Sequence, residues 1–210
     1  MRALRVSGHL IANLLLAAAA ASAQSRLPPR DQWQRAPAIL EAMKIAGGQR
    51  VADIAAGRGY LTRFLAAKVG TTGRVFAVEV SDEALGALRE LVKHDSLTNV
   101  EVLAGTETDP KLPGSLDGAV ILNSYHEMTQ HQAMLQAIKL ALRPGALLVV
   151  VDNAAIAGWF TARDDQASHH ALDPKYAVEE LRNAGFEIVD RQDAFIVEPY
   201  AQWMIVARRP

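Results

Sequence analysis

The sequence predicts an α/β protein with one doubly wound, mostly parallel sheet. Short apolar runs of strand length recur along the chain, as expected for strands that are buried on both faces of a parallel sheet. Helical patterns of about 10 to 15 residues separate these runs, which is typical of repeated βαβ units. The last two apolar runs follow each other without a helix between them, so we expect an antiparallel pair at one edge of the sheet.

The apolar runs are each about four to six residues long, within the usual range for strands. Their flanking glycine, proline and polar residues set the limits of each run. The strands predicted in this way cover residues 50–54, 75–80, 100–103, 119–122, 147–151, 186–189 and 204–207.

Capping residues mark the ends of the predicted helices. Ser81 stands at the N-cap of a helix that reaches about His94, and acidic residues follow it near the positive end of the helix dipole. Asp173 and Pro174 supply a cap and a first-turn proline for the last helix, which Gly185 ends. The predicted helices cover residues 31–45, 59–69, 82–94, 129–142 and 174–184. Pro144-Gly145 is expected to stop the fourth of them.

Charge and composition exclude some classes of function. The 210 residues carry 22 Lys and Arg against 23 Asp and Glu, a formal net charge of −1. A chain so close to neutral gives no electrostatic reason to expect a nucleic-acid partner. There is no cysteine, which excludes disulfides and thiolate chemistry.

The first residues predict a secretory leader. Arg2 and Arg5 precede an apolar segment over residues 10–21, and Ala21-Ser22-Ala23 supplies the small residues of a cleavage site. The apolar segment is shorter than the ~20 residues that a membrane-spanning helix needs. We expect a signal peptide over residues 1–23, a linker over 24–30 and a single domain over 31–210. The mature protein would then be periplasmic or secreted, without a stable membrane span, and cytoplasmic if the leader does not function.

The turn after the first strand is the first candidate site. Ligands of doubly wound sheets bind at the carboxyl ends of the strands, near the switch in strand order. Asp53 precedes this turn, and Gly57 and Gly59 stand in it. A dinucleotide fingerprint requires a third glycine at the position of Thr62, so the pattern for a nicotinamide cofactor is incomplete.

Polar residues at the ends of the next two strands extend this site. Glu79 ends the second strand, where a carboxylate can accept hydrogen bonds from both hydroxyls of a ribose. NAD and S-adenosylmethionine both carry such a diol. Thr106 and Glu107 follow the third strand and are expected near an adenine edge.

Five successive segments resemble the motifs of class I S-adenosylmethionine-dependent methyltransferases. They are VADIAAGRGYLT, VFAVEVS, VEVLAGTETD, LDGAVILNSYHEM and LRPGALLVVVDN, in the order and spacing of that superfamily over residues 47–155. The segments DQWQRAPAIL, GFEIVDRQDAF and QWMIVARR resemble a branch with an N-terminal helix and a terminal antiparallel strand. The resemblance implies a Rossmann-like methyltransferase fold with a seven-stranded sheet and an antiparallel C-terminal strand. It also implies S-adenosylmethionine as the cofactor of a chain that here carries a secretory leader.

The resemblance assigns cofactor binding to residues at the ends of the first four strands, namely Asp53, Ala55, Gly57, Gly59, Glu79, Val80, Thr106, Glu107 and Asn123. Two positions depart from the family pattern. The family has glycine where this chain has Ala55, so we expect a less open turn. The family often has Asp where this chain has Thr106, to bind the adenine amino group, and Glu107 could substitute for it.

The segment after the fourth strand faces the methyl group and the acceptor in the resembling family. Asn123 matches the first residue of the Asn-Pro-Pro-Tyr motif of amino-methylating members, but the prolines are absent, so that chemistry is not implied. His126 is the candidate general base, because its ordinary pKa lies near neutrality, and Glu127 could orient it or bind a cationic acceptor. Both residues could instead be structural, since methyl transfer depends mainly on alignment of the reacting atoms.

A second polar group, Ser168-His169-His170 with Asp173, precedes the last predicted helix. Two histidines and an Asp suggest a metal, but the resembling fold does not need one, and adjacent histidines point in different directions on most backbones. We expect no metal and a contribution of this group to the acceptor pocket. Trp33 either packs over the cofactor site or anchors its helix to the core.

The predicted function is therefore S-adenosylmethionine-dependent methyl transfer to an unidentified acceptor, expected to be a small molecule. A nicotinamide-dependent oxidoreductase is the alternative enzyme class, and the missing third glycine and the terminal strand pair count against it. A protein that binds S-adenosylmethionine or a related nucleoside without turnover is the third possibility. The leader favours it, because S-adenosylmethionine is made in the cytoplasm.

Overall fold

A computed structural model describes residues 29–155 and 162–210, and all seven strands in these ranges join one sheet in the order β3-β2-β1-β4-β5-β7-β6. The strands are β1 (Arg50–Ile54), β2 (Arg74–Glu79), β3 (Val100–Ala104), β4 (Leu116–Leu122), β5 (Leu142–Asn153), β6 (Glu187–Ile196) and β7 (Gln202–Arg208). β1 to β5 pair in parallel, and β7 runs antiparallel to both β5 and β6. The predicted fold class and the terminal antiparallel pair are confirmed.

The helices largely follow the predicted ends. They are α1 (Arg30–Trp33), α2 (Ala36–Ala42), α3 (Tyr60–Val69), α4 (Asp82–His94), α5 (His131–Ala141), α6 (Arg163–Ser168) and α7 (Pro174–Asn183), with a 3₁₀ turn over Tyr125–Glu127. The Ser81 hydroxyl accepts a hydrogen bond from the Ala84 N–H, and the Asp173 carboxylate accepts one from the Lys175 N–H, as N-caps do. The short helix α6 was not predicted.

The single helix predicted over residues 31–45 is wrong. The chain forms α1 and α2, separated at Arg35, whose φ is 54°. Pro37 explains the break, because its ring would clash with the Trp33 carbonyl one turn earlier and it has no N–H to donate. The same proline fits the first turn of α2, where no intrahelical N–H donor is required.

The fourth predicted helix ends at Ala141, close to its predicted end, and Pro144-Gly145 lies inside β5. Leu142 pairs with Leu116 and Leu147 pairs with Gly118, so residues 143–146 form an irregularity in the ladder between these pairs. Proline is tolerated in a sheet at such irregular positions because no ladder hydrogen bond is lost there. β5 therefore starts five residues before the predicted strand.

Two apolar clusters cover the opposite faces of the sheet. Ala119 and Ile121 belong to the cluster that includes α5 and α7, whereas Val120 and Leu122 belong to the cluster that includes α2 and α3. Successive residues of a strand point to opposite faces, so this alternation places helices on both sides. The arrangement brings the carboxyl ends of β1, β2, β4 and β5 to one edge, with the switch in strand order between β1 and β4.

The leader predicted over residues 1–23 lies outside the described residues. Arg30, the last residue of the predicted linker, begins α1. Within residues 29–155 and 162–210, no helix is both long enough and apolar enough to cross a membrane.

Candidate active site

The glycine turn after β1 is held by backbone hydrogen bonds to the end of β2. The Ala56 N–H donates to the Val78 carbonyl over 2.9 Å, and the Gly57 N–H donates to Glu79 Oε2 over 2.9 Å. Ala55 and Gly57 both have a left-handed backbone, with φ of 54° and 56°. Glycine adopts this conformation without steric cost, whereas Ala55 adopts it with a side chain.

The Glu79 carboxylate is fixed at the end of β2. Oε1 accepts from the Val80 N–H over 2.7 Å and from the Ser81 N–H over 3.2 Å, while Oε2 accepts from Gly57. The residue is buried, and it lines a cavity. Its oxygens are thus oriented by backbone donors and retain lone pairs for further donors, as a ribose diol requires.

Two cavities adjoin the glycine turn, and the one lined by Glu79 is the larger cavity. Its volume is about 480 Å³, within the usual range for small-molecule sites. Six of the predicted cofactor-binding residues line it, namely Ala55, Gly57, Glu79, Val80, Thr106 and Glu107, and the predicted catalytic residue Glu127 lines it as well. Thr106 Oγ1 accepts from the Asp109 N–H over 3.0 Å, which closes a turn after β3. Met128 and Met134 add apolar wall to the cavity.

A second cavity of about 440 Å³ lies on the other side of the same turn, and Ala55, Gly57 and Ser124 line both cavities. Asp53 lines it together with Arg30 and Asn123. Trp33 lines it too and makes an edge contact with Tyr200 at 5.5 Å between ring centroids. Trp33 also packs against the apolar cluster that includes α2 and α3, so its contacts fit both of the roles considered for it.

Asp53 is almost fully buried, and its Oδ2 accepts a hydrogen bond from the Thr62 hydroxyl over 2.6 Å. Burial raises the pKa of Asp53 to about 7, against the opposing effects of the Thr62 hydrogen bond and the Arg30 charge. Burial also lowers the pKa of Arg30, whose guanidinium lies 4.1 Å from the centroid of the Tyr60 ring. The second cavity therefore presents the Arg30 guanidinium and the Asp53 carboxyl group, whose pKa lies near neutrality.

Gly59 lies where α3 packs closely against α4. It lines neither of the two cavities, and an added Cβ would lie 2.3 Å from Leu91 Cδ2 and 2.8 Å from Leu88 Cδ1. The glycine lets the start of α3 approach the side of α4, with φ of 82°. Its sequence assignment to cofactor binding stays a prediction, whereas its contacts are those of helix packing.

Asn123 takes part in a cluster of four side-chain amides. The Gln202 amide donates to Asn123 Oδ1 over 2.6 Å and to Asn153 Oδ1 over 3.0 Å. The Gln34 amide donates to Gln202 Oε1 over 2.7 Å, and the Asn123 amide donates to Gln34 Oε1 over 3.2 Å. Gln34 and Gln202 are fully buried, so this network fixes α1, β4, β5 and β7 relative to one another behind the second cavity.

His126 forms a buried pair with Asp152 at the end of β5. Its Nδ1 lies 2.8 Å from Asp152 Oδ1, and its backbone N–H donates to Asp152 Oδ2 over 2.7 Å. Burial alone would lower the pKa of His126, but the hydrogen bond and charge of Asp152 outweigh it and raise the pKa above its ordinary value. The His126 Nε2 atom is buried and has no hydrogen-bond partner among the described residues.

Glu127 and His170 stand beside that nitrogen. Glu127 Oε1 lies 3.6 Å from His126 Nε2 and 3.6 Å from His170 Nδ1. The His126 and His170 rings meet edge to face at 5.6 Å. Glu127 and His170 are exposed, whereas His126 is buried, so the group opens outward from a buried nitrogen.

Tyr125 anchors the 3₁₀ turn that carries His126. The Tyr125 hydroxyl donates to Glu180 Oε2 over 2.6 Å, and Arg163 donates to Glu180 Oε1 over 2.6 Å. Burial, followed by the neighbouring Glu180 charge, raises the pKa of Tyr125. The hydroxyl is therefore a hydrogen-bond donor that fixes the turn to α7.

The two adjacent histidines separate as predicted. The His169 ring contacts the Asp165 carbonyl over 2.8 Å and Ser168 Oγ over 3.0 Å, while His170 lies against His126 and Glu127. Asp173 caps α7 instead of joining either histidine. Of the residues of the predicted cluster, His170 thus lies beside His126 and Glu127.

Sequence reasoning missed Asp152, Arg30, Gln34 and Gln202. Asp152 had a recognisable signal, because it is the acidic residue that ends β5 in the motif LRPGALLVVVDN. Arg30, Gln34 and Gln202 had none, since nothing local distinguishes a buried amide or a cavity-lining arginine from exposed ones.

A family model described as a methyltransferase domain matches residues 51–145. A ubiquinone/menaquinone biosynthesis C-methyltransferase of Klebsiella pneumoniae is 30% identical over 122 residues, which are 57% of this chain and 48% of that protein. The chain therefore spans about half the length of this curated relative.

Solved structures show the same fold. A crystal structure of an S-adenosylmethionine-dependent methyltransferase from Aquifex aeolicus superimposes with a TM-score of 0.75 at 23% identity, covering 87% of this chain and 94% of that one. The [4+2]-cyclase SpnF superimposes with a TM-score of 0.73 at 18% identity, covering 84% of this chain and 81% of that one. The matched motifs, the strand order and the glycine turn with its Glu79 partner agree on one conclusion. Residues 51–145 match a methyltransferase domain, and the described residues have the Rossmann-like fold of S-adenosylmethionine-dependent methyltransferases.

Proposed function

We propose that the protein transfers a methyl group from S-adenosylmethionine to a small-molecule acceptor. The observation that carries the proposal is the contact between the Gly57 N–H and Glu79 Oε2, which sets a ribose-binding carboxylate against the glycine turn at the mouth of a cavity. The match of residues 51–145 to a methyltransferase domain supports S-adenosylmethionine as the cofactor, and the cavity has a suitable volume for it.

In this proposal the cofactor crosses the glycine turn at Gly57. Its ribose binds Glu79, and its adenine lies between Val80 and the Thr106-Glu107 segment in the larger cavity. Its methionine end enters the second cavity, where Arg30 can bind the carboxylate and Asp53 the ammonium. Opposite charges thus meet at both ends of the methionine moiety.

His126 and Glu127 are proposed to act on the acceptor side. Glu127 lines the larger cavity beside Met128 and Met134, and it contacts His126 from there. An acceptor held between these residues and the sulfonium would meet the main requirement of methyl transfer, alignment of nucleophile, methyl carbon and sulfur.

Calorimetric titration with S-adenosylmethionine, S-adenosylhomocysteine and NAD tests the cofactor assignment. We expect binding of the first two and none of NAD, because no third glycine is present. Binding of NAD alone would instead support the oxidoreductase and overturn the proposal.

A product assay with radiolabelled methyl donor then tests turnover. The Klebsiella relative is named for quinone biosynthesis, so quinols belong in the first acceptor panel. Cofactor binding without label transfer to any acceptor, including an extract of small metabolites, would favour a binding protein over an enzyme.

We also propose that residues 1–23 direct export and are cut after Ala23, leaving Gln24 as the new N-terminus. The basic residues, the apolar segment and Ala21-Ser22-Ala23 support this proposal. Arg2 and Arg5 are not adjacent, so no twin-arginine signal is present, and general secretion followed by cofactor acquisition is the expected route. Cell fractionation with N-terminal sequencing tests it, and a cytoplasmic protein that starts at Met1 would overturn it.

A further inference from the structure

His126 has an unusual position for a buried imidazole. Asp152 fixes its Nδ1, and its Nε2 is left without a hydrogen bond within the described ranges, although the residue is only 3% exposed. A buried polar atom without a hydrogen-bond partner destabilises the folded state. A ligand that binds this nitrogen would remove that cost. A carboxylate on one ring nitrogen is also the usual support for a histidine that binds a metal through the other.

The side chains that face this nitrogen are of types that commonly bind metals. His126, Glu127 and His170 each offer one ligand atom, and these atoms all lie within 4.8 Å of one another. Two ligands of a tetrahedral ion lie about 3.4 Å apart, because metal–nitrogen and metal–oxygen bonds are about 2.0–2.2 Å long. The two separations from Glu127 Oε1, 3.6 Å to His126 Nε2 and 3.6 Å to His170 Nδ1, are close to this spacing.

The end of β5 positions both histidines at once. Asp152 binds the ring and backbone of His126, and the Asn153 side chain donates to the His170 carbonyl over 2.9 Å. His170 also has a left-handed backbone, with φ of 54°, which a random exposed residue seldom adopts. Two neighbouring residues of one strand therefore bring together histidines that are far apart in the sequence.

We propose that His126, Glu127 and His170 bind one divalent transition-metal ion, such as Zn²⁺, at the rim of the larger cavity. Two imidazoles and one carboxylate select transition metals over Mg²⁺ and Ca²⁺, which prefer all-oxygen ligand sets. The carboxylates of Glu127 and Asp152 balance the charge of the ion. Three protein ligands leave at least one coordination position open.

Glu127 lines the larger cavity, so an ion bound to it would offer its open position to an acceptor oxygen. A hydroxyl bound to such an ion loses its proton more readily, which would favour acceptors that carry a hydroxyl or enol oxygen. This role rests on the proposed methyl transfer, whereas binding of the metal does not.

The test measures metal binding by the full, tag-free chain without cofactor. Protein stripped with a chelator and dialysed is titrated with Zn²⁺ by calorimetry, and with Co²⁺ by visible absorption. We expect one equivalent of Zn²⁺ to bind and a Co²⁺ spectrum of low coordination number. Less than half an equivalent of Zn²⁺ in the wild-type chain would overturn the proposal, whatever the methyltransferase assay shows.

The variants His170→Ala and Glu127→Gln change exposed side chains, so both should fold, which circular dichroism will verify. Each should weaken Zn²⁺ binding by at least about tenfold, and His170→Ala should remove the Co²⁺ absorption. His169→Ala is the matched control, because that ring faces Asp165 and Ser168, and it should bind like the wild type. Equal affinities in His170→Ala and the wild type would show that any bound metal lies elsewhere.

Discussion

Thr62 donates its hydroxyl hydrogen to Asp53 Oδ2 over 2.6 Å, and both side chains are buried next to the glycine turn. A dinucleotide-binding turn would have glycine at the position of Thr62, for close packing of helix on strand. Here the Thr62 side chain fills that position and orients the carboxyl group of Asp53. The residue that departs from the dinucleotide pattern, Thr62, thus makes a specific hydrogen bond within this site.

Cofactor binding should release a proton near neutral pH. The pKa of Asp53 is about 7 because the group is buried, and an ammonium bound beside it would lower that pKa by stabilising the charged form. Calorimetry of S-adenosylmethionine binding at pH 6.5, in two buffers with different ionisation enthalpies, measures the released proton. Asp53→Asn should bind without this release, and an unchanged release in that variant would assign the proton to another group.

Asp53 should also make the protein less stable as the pH rises from about 4 to about 7. The folded-state pKa of about 7 lies above the ordinary value of 3.8, so the folded state binds more protons than the unfolded state across this window. Its contribution to the free energy of unfolding therefore falls by up to about 1.4 kcal/mol per pH unit and is constant above pH 7. Urea denaturation of the wild type and Asp53→Asn at pH 5 and pH 8 checks this. The variant should gain most relative to the wild type at pH 8, and a pH-independent difference would contradict the assignment.

Glu79→Ala should weaken S-adenosylmethionine binding by roughly 1.5–3 kcal/mol, the range for hydrogen bonds to a charged group. The substitution removes the ribose acceptor and also the acceptor of the Gly57 N–H, so the turn loses its orientation. Glu83→Ala is a suitable control, because Glu83 is an exposed carboxylate that forms a surface ion pair with Arg58. Dissociation constants from calorimetry would exclude Glu79 from the site if the two variants bound equally well.

Gly57→Val should abolish cofactor binding while the protein stays folded. A Cβ at Gly57 meets no atom within 4 Å, so the added side chain would project into the space that both cavities share. Its φ of 56° also disfavours a β-branched residue. Gly86→Val in α4 controls for the added volume, because that site is open as well. Wild-type affinity in folded Gly57→Val protein would place the cofactor elsewhere.

Gly59→Ala should behave differently from Gly57→Val. The new Cβ would collide with Leu91 and Leu88, so we expect a loss of stability of about 1–3 kcal/mol from overpacking. Cofactor affinity in the remaining folded protein should change little. Thermal unfolding and calorimetry separate the two effects, and lost affinity with unchanged stability would return Gly59 to the cofactor site.

The sequence by itself determined the order and type of the main elements and the residues at the ends of β1, β2, β3 and β4. The residues that cap or end helices act within one turn of them, namely Ser81, Gly70, Asp173 and Gly185. Buried strands are recognisable in the sequence as short apolar runs. Parallel strands in one sheet bring their carboxyl ends to the same edge. The approach of Gly57 to Glu79 therefore follows from the order of the strands and the position of each residue at a strand end.

The tertiary structure alone decided which polar groups pair across the fold. Gln34 and Gln202 are 168 residues apart, and the two histidines beside Glu127 come from different loops. Such contacts depend on how packed elements place their ends in space, to angstrom accuracy, and local propensity and periodicity carry no information about that placement.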